Sequence, residues 1–258
     1  MIVYYQNDIQ VKRMKELDQG YNIVGLSQGN LIARSIIEFC DGAPRAKNFI
    51  SLAGPHVGIA APPFGLFREL YSAAAKFINF GIYGKFIQKN LAASGYIKIP
   101  YNIPSYLRNS KFLPKLNNEL SNERNSTYKE RFESLENLVL IKFDNENVLQ
   151  PKETSWFGYH PDCSFSSVLS TQETKLFIED WIGLKALEEA GNVTYITLPG
   201  VHLEISDDGL KKYIVPYLKN KNLTWHNAST PHVLLPNWKP IILTIKRQCP
   251  IEVQVIRR

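Results

Sequence analysis

A serine framed by two glycines, Gly25-Leu-Ser27-Gln-Gly29, stands where two stretches of different periodicity meet. Before it, Tyr21-Asn-Ile-Val-Gly-Leu26 is a compact apolar run suited to a buried strand; after it, Leu31-Ile-Ala-Arg-Ser-Ile-Ile-Glu-Phe39 resumes helical spacing. A strand that turns sharply into a helix at a serine needs small residues on both flanks, and it lifts the serine side chain above the sheet. The helix N-terminus beneath that turn, with the backbone N–H of Gln28, directs positive dipole toward any oxyanion formed when Ser27 attacks a carbonyl. The five-residue motif alone also arises by chance and in ordinary turns. Its meaning depends on what the rest of the chain supplies.

The rest of the chain reads as α/β. Asp8 to Leu17 has nearly helical apolar spacing and ends at the turn signal Asp18-Gln-Gly20. Further buried strands are expected at Asn48–Ala53, Leu138–Phe143 and Val193–Leu198, each bounded by polar or Gly/Pro punctuation. Four parallel strands flanked by helices form the minimum core. Between about residues 55 and 131 the character changes to aromatic-rich stretches without strand alternation, which reads as a largely helical insertion. Phe64, Leu66, Phe67, Phe77, Ile78 and Phe80 in it are either core packing or the lining of an apolar groove. Residues 1–220 make one domain, and 221–258 a basic extension of scattered prolines and short β-branched runs.

The net charge of +6 describes that extension more than the body. Lys221, Lys239, Lys246, Arg247, Arg257 and Arg258 face only Glu252 there, so a nucleic-acid-binding body is not indicated. No apolar run approaches the roughly 18 residues of a transmembrane helix. The first twenty residues carry Asp8, Lys12, Arg13, Lys15 and Glu16 where an export signal would be apolar. Against this, Asn125, Asn192, Asn222 and Asn227 each open a glycosylation sequon and point toward a secretory origin. Cys40, Cys163 and Cys249 are odd in number and lack CxxC spacing, so neither a metal site nor a full disulfide framework is expected.

Ser27 becomes a nucleophile only if a base takes its proton, and that base needs a carboxylate to orient it. With a serine at such an elbow, the chain order is serine, acid, histidine. Of His56, His160, His202, His226 and His232, His202 is best placed, because it follows the strand Val193–Leu198 at the strand's C-terminal end. The acid is expected just after Leu138–Phe143, where Asp144-Asn-Glu146 offers two candidates that spacing cannot separate.

At this point the residues resemble a known family. The segments GYNIVGLSQGN and VLIKFDNENVLQP, then Trp156-Phe-Gly-Tyr159, Gln172-Glu-Thr174, Ile182-Gly-Leu-Lys185, His202-Leu203 and Ile214-Val-Pro-Tyr-Leu218, are similar in order and spacing to palmitoyl-protein thioesterases over about residues 1–220. The resemblance implies an α/β-hydrolase fold and a lysosomal or vacuolar enzyme without cofactor. Its substrates would be acyl thioesters, as S-acylated proteins. It implies Ser27 as nucleophile, His202 as base, Gln28 as oxyanion donor and Asn125 as a glycosylated asparagine. Two departures follow. The family's acid is an aspartate after an asparagine, whereas here Glu146 follows Asn145, making Glu146 the first choice and Asp144 the reserve. Family members also place a signal peptide, the first strands and a second oxyanion donor ahead of the helix with which this chain begins. The expectation is a truncated enzyme with an unpaired sheet edge, weakened by the roughly 10²- to 10³-fold that one oxyanion donor supplies. An inert lipid- or partner-binding product, or a general esterase, are the competing readings.

Overall fold

A computed structural model describes Val11, residues 14–60 and 81–218, and the backbone of two strands nearer the C-terminus, Ile241–Thr244 and Glu252–Ile256. Four strands run parallel: β1 (Tyr21–Leu26), β2 (Ala46–Leu52), β3 (Asn137–Phe143) and β4 (Val193–Leu198). They match the apolar runs picked out above to within two residues. Of the helix expected over Asp8–Leu17, the described part is Val11 and a 3-10 turn, Lys15–Leu17.

Continuous apolar runs are what a sheet covered on both faces requires. Successive residues sort accordingly into two cores. Ile23, Phe49, Leu138 and Leu140 join one cluster, while Val24, Ile50, Val139 and Ile141 join the other. The register brings Ile23 beside Phe49 and Phe49 beside Leu138, so each core is laid down across adjacent strands.

Helix α1 (Gly29–Phe39) follows β1 directly and buries Gly29 through Glu38, including the charged pair Arg34 and Glu38. Every nitrogen of the Arg34 guanidinium has an acceptor. Its Nε donates to Glu38 Oε1 at 2.8 Å, Nη1 donates to Asn117 Oδ1 and to the His56 carbonyl, and Nη2 donates to the Leu116 carbonyl. Phe132 and Phe157 lie on it at 5.3 and 5.2 Å. One buried cation thus ties the helix under the serine to segments more than eighty residues away, and such a group is tolerated inside only because each of its nitrogens has an acceptor and two rings face it.

The insertion leaves from the C-terminal end of β2. Its described part is helical in short pieces: α2 (Lys85–Asn90), α3 (Ile103–Asn109), α4 (Leu113–Leu116) and α5 (Ser126–Glu133). The groove candidates Phe64, Leu66, Phe67, Phe77, Ile78 and Phe80 lie outside the described residues.

The sheet order is β4-β3-β2-β1-β6-β5, with β5 (Ile241–Thr244) and β6 (Glu252–Ile256) from the basic extension. This corrects the expectation of an unpaired edge. β6 runs antiparallel to β1, from Asn22 opposite Ile256 to Gly25 opposite Val253. The β-branched runs of the extension supply a ladder that hydrophobic periodicity in so short a segment could not assign.

Candidate active site

Ser27 follows the last residue of β1 and has φ 48, in the left-handed region that residues with a Cβ rarely occupy. Three hydrogen bonds hold it there. Ser27 N donates to the Leu52 carbonyl at 2.9 Å, and the Asn30 side-chain amide donates to the carbonyls of Leu52 (2.8 Å) and Ser27 (3.0 Å). Gly25 is required by the same packing, since a Cβ on it would stand 2.3 Å from Asn30 Oδ1 and 2.8 Å from Asn30 Cα. Asn30 is fully buried, and neither periodicity nor a catalytic motif marks it in the sequence. Its position just after the second glycine, at the start of an apolar helix, is the one available signal: a buried asparagine there needs a backbone partner.

The chain returns to Ser27 from two other strand ends. After β3, Asp144 N donates to the Leu198 carbonyl and Asn145 N to the Gly200 carbonyl, which clamps the acidic loop onto the loop that follows β4. That second loop is closed by Glu204, whose carboxylate accepts from Val201 N at 3.0 Å while its own N–H donates back to the Val201 carbonyl. Between these clamps His202 Nε2 lies 2.9 Å from Ser27 Oγ, and His202 Nδ1 lies 2.7 and 2.9 Å from the two Glu146 oxygens. The hydroxyl donates to Nε2 and the Nδ1–H donates to the carboxylate, a tautomer assigned from the partners.

Glu146 is poised as an anion. Burial works to raise its pKa, but the bonds from His202 and from Val148 N and Leu149 N outweigh that and hold the carboxyl below its ordinary range. Its side chain is 0% exposed against 14% for His202. Asp144 is exposed, and its carbonyl accepts from Lys152 Nζ. Of the two acids, Glu146 is therefore the one that meets the histidine.

The remaining described histidines lie elsewhere. His56 is buried, bonded to Ser51 Oγ at 2.7 Å and stacked on Phe157; burial first, then the Arg34 charge, drives its pKa well below the usual value. His160 bonds the Ser167 carbonyl. His226 and His232 lie outside the described residues. Among the described residues the backbone N–H of Gln28 makes no hydrogen bond and stands at the N-terminus of α1. Of the sequon asparagines, Asn125 caps α5 by accepting from Tyr128 N at 3.2 Å, Asn192 directly precedes β4, and Asn222 and Asn227 lie outside the described residues. Among the described residues no group of His, Cys, Asp or Glu could hold a metal ion, and no helix is long and apolar enough to cross a membrane.

A parallel sheet flanked by helices, with a strained serine on the turn between its first strand and helix, is an α/β-hydrolase fold. Comparison with known proteins narrows this further. The family model for palmitoyl protein thioesterase matches residues 3–202. The chain is 36% identical over 217 residues to palmitoyl-protein thioesterase 1 of Caenorhabditis elegans, spanning 82% of this chain and 72% of that one. It is 34% identical over 210 residues to palmitoyl-protein thioesterase 3 of Dictyostelium discoideum, spanning 81% and 70%. It is also 30% identical over 205 residues to the lysosomal thioesterase PPT2 homolog of Drosophila melanogaster, spanning 78% and 69%. The chain belongs to the palmitoyl protein thioesterase family.

Proposed function

We propose that this chain hydrolyses long-chain fatty acyl thioesters on protein cysteines, with Ser27 as nucleophile, His202 as general base and acid, Glu146 as the orienting carboxylate and the Gln28 N–H as an oxyanion donor. The observation that carries the reading is the continuous relay from Ser27 Oγ through His202 to a buried Glu146. Family membership supplies the substrate class.

The chemistry follows from the geometry. His202 Nε2 takes the Ser27 proton as Oγ bonds to the thioester carbonyl carbon, and the carbonyl oxygen becomes an anion facing the Gln28 N–H. The C–S bond breaks, the thiolate leaves with the proton from His202, and an acyl-serine remains. A water then gives a proton to the same nitrogen and attacks the acyl carbon, which frees the fatty acid and returns the hydroxyl to Ser27. Glu146 keeps Nδ1 protonated and offsets the imidazolium charge throughout. Its extra methylene relative to aspartate is absorbed by the loop, because both carboxylate oxygens reach Nδ1. A lysosomal site of action accords with the names of relatives such as the lysosomal thioesterase PPT2 homolog. Asn125 and Asn192, both half-buried and at the ends of elements, suit glycan acceptors of a secretory route.

The test is hydrolysis of a palmitoyl thioester beside labelling by a fluorophosphonate probe. Wild-type protein is expected to do both, and Ser27→Ala to lose at least about 10³-fold in turnover together with all labelling. Retained turnover in Ser27→Ala would remove the nucleophile. Folded wild-type protein that neither labels nor turns over would favour the inert reading, and equal rates on the matching oxygen ester would favour a general esterase.

A further inference from the structure

The near-neutral body conceals a local imbalance. Residues 81–118 contain Lys85, Lys89, Lys98, Arg108, Lys111 and Lys115 and no carboxylate. Two of the six cations are engaged. Lys98 pairs with Glu119 at 2.7 Å, and Lys115 lies over the rings of Phe39 and Tyr128. Lys85, Lys89, Arg108 and Lys111 are exposed, and among the described residues none of them forms an ion pair.

Three of these cations sit around one helix. α2 (Lys85–Asn90) buries no residue completely. Its inner side is Ile87, packed on the core, and Gln88, whose amide donates to the carbonyls of Ile82 and Ser94 and accepts from Lys111 N at 3.0 Å. Its outer side is Lys85, Phe86, Lys89 and Asn90, all exposed. Phe86 is 76% exposed and Leu91, just past the helix, 40%. Lysines one turn apart repel each other and do nothing for the helix alone. A phenylalanine held mostly in water gains nothing from folding. The Gln88 bonds nevertheless fix this costly face in place. Lysines beside an aromatic and an aliphatic side chain suit an interface with anionic headgroups above and acyl chains below. Ile87, on the inner side of the helix, packs on the same one of the two cores as Leu26 and Leu203, the chain neighbours of Ser27 and His202.

We propose that the outer side of α2, with Leu91 and Lys111, docks on a bilayer containing anionic phospholipid and so holds the protein at the membrane surface. The benefit to catalysis rests on the thioesterase reading, because S-acylated proteins are anchored in membranes by the very chain to be removed; the docking itself does not.

The experiment is flotation of the chain with phosphatidylcholine vesicles, with and without phosphatidylserine, at low and high salt, alongside turnover of a water-soluble acyl thioester. Binding is expected only where phosphatidylserine is present, and salt should weaken it. The pair Lys85→Gln with Lys89→Gln should bind about thirty-fold less, at roughly five-fold per basic residue removed. Phe86→Ser should bind about ten-fold less. All variants should turn over the soluble substrate like wild type, which also shows that they are folded. Equal partition onto neutral and anionic vesicles, or undiminished binding by the glutamine pair, would overturn the proposal. Loss with the glutamine pair but not with Phe86→Ser would overturn the bilayer and point to an acidic macromolecule. Vesicle binding without thioester turnover would leave this surface standing and remove the activity instead.

Discussion

At the residue scale, the site depends on a serine kept in an unfavourable backbone conformation and on a carboxylate kept charged. A left-handed non-glycine residue costs on the order of 1 kcal/mol or more, and here Leu52 and Asn30 absorb that cost through the three bonds to the Ser27 backbone and its neighbour. The serine and the histidine were legible because each has a positional signature: a turn between glycines, and a strand end. The acid was legible only as a pair, since Asp144 and Glu146 share one loop and side-chain direction is not written in spacing. The relay to His202 runs through Glu146, and this makes a sharp comparison. Glu146→Gln is expected to lower kcat by about 10³- to 10⁴-fold, as loss of the orienting charge does in related triads. Asp144→Asn should leave kcat close to wild type. Steady-state kinetics on one acyl thioester decides it, and the reverse ranking would hand the role to Asp144.

At the element scale, β1 and α1 act as a single unit whose junction has no spare volume. The apolar runs and helical spacing made both elements readable to within two residues. The reason Gly25 must be glycine was not readable, because the atoms it avoids belong to Asn30, the second residue of the helix beyond the turn. Gly25→Ala is therefore expected to destabilise the fold by about 1–3 kcal/mol, as over-packing does. It should also weaken fluorophosphonate labelling by pushing Asn30 off the Ser27 carbonyl. Thermal melting and labelling of the same sample measure both effects, and a variant with wild-type melting and labelling would mean that the junction yields more easily than its contacts imply.

At the scale of the whole molecule, two features join distant parts of the chain. The first is the buried Arg34–Glu38 pair. Burial pushes the Glu38 carboxyl up to about 7, against the pull of the Arg34 charge and hydrogen bond, from an ordinary 4.5. A carboxyl whose folded pKa is raised contributes stability fully below its unfolded pKa and loses it as pH rises through the folded one. Wild-type protein should accordingly lose stability relative to Glu38→Gln between about pH 4.5 and 7, by at most about 3 kcal/mol. Urea unfolding of both proteins across that window tests it, and a pH-independent difference would show that Arg34 keeps the carboxylate charged throughout. The second feature is β6 on the edge of β1. A chain stopped after Thr244 lacks that strand and exposes the ladder of Asn22–Gly25. Such edges recruit other chains, so the shortened protein is expected to melt lower and to aggregate by light scattering. A monomer with unchanged melting would mean that β6 contributes nothing to the sheet.

The sequence alone determined the class of fold, the four parallel strands, the elbow and the order of serine, acid and histidine. Those follow from local periodicity and from backbone demands that neighbouring residues meet among themselves. Tertiary structure alone decided which acid faces the histidine, what Asn30 and Gly25 are for, why an arginine is buried beneath the site and which segment covers the sheet edge. Each of these depends on distances between residues far apart in the chain, and such distances exist only once the two cores have closed around the sheet.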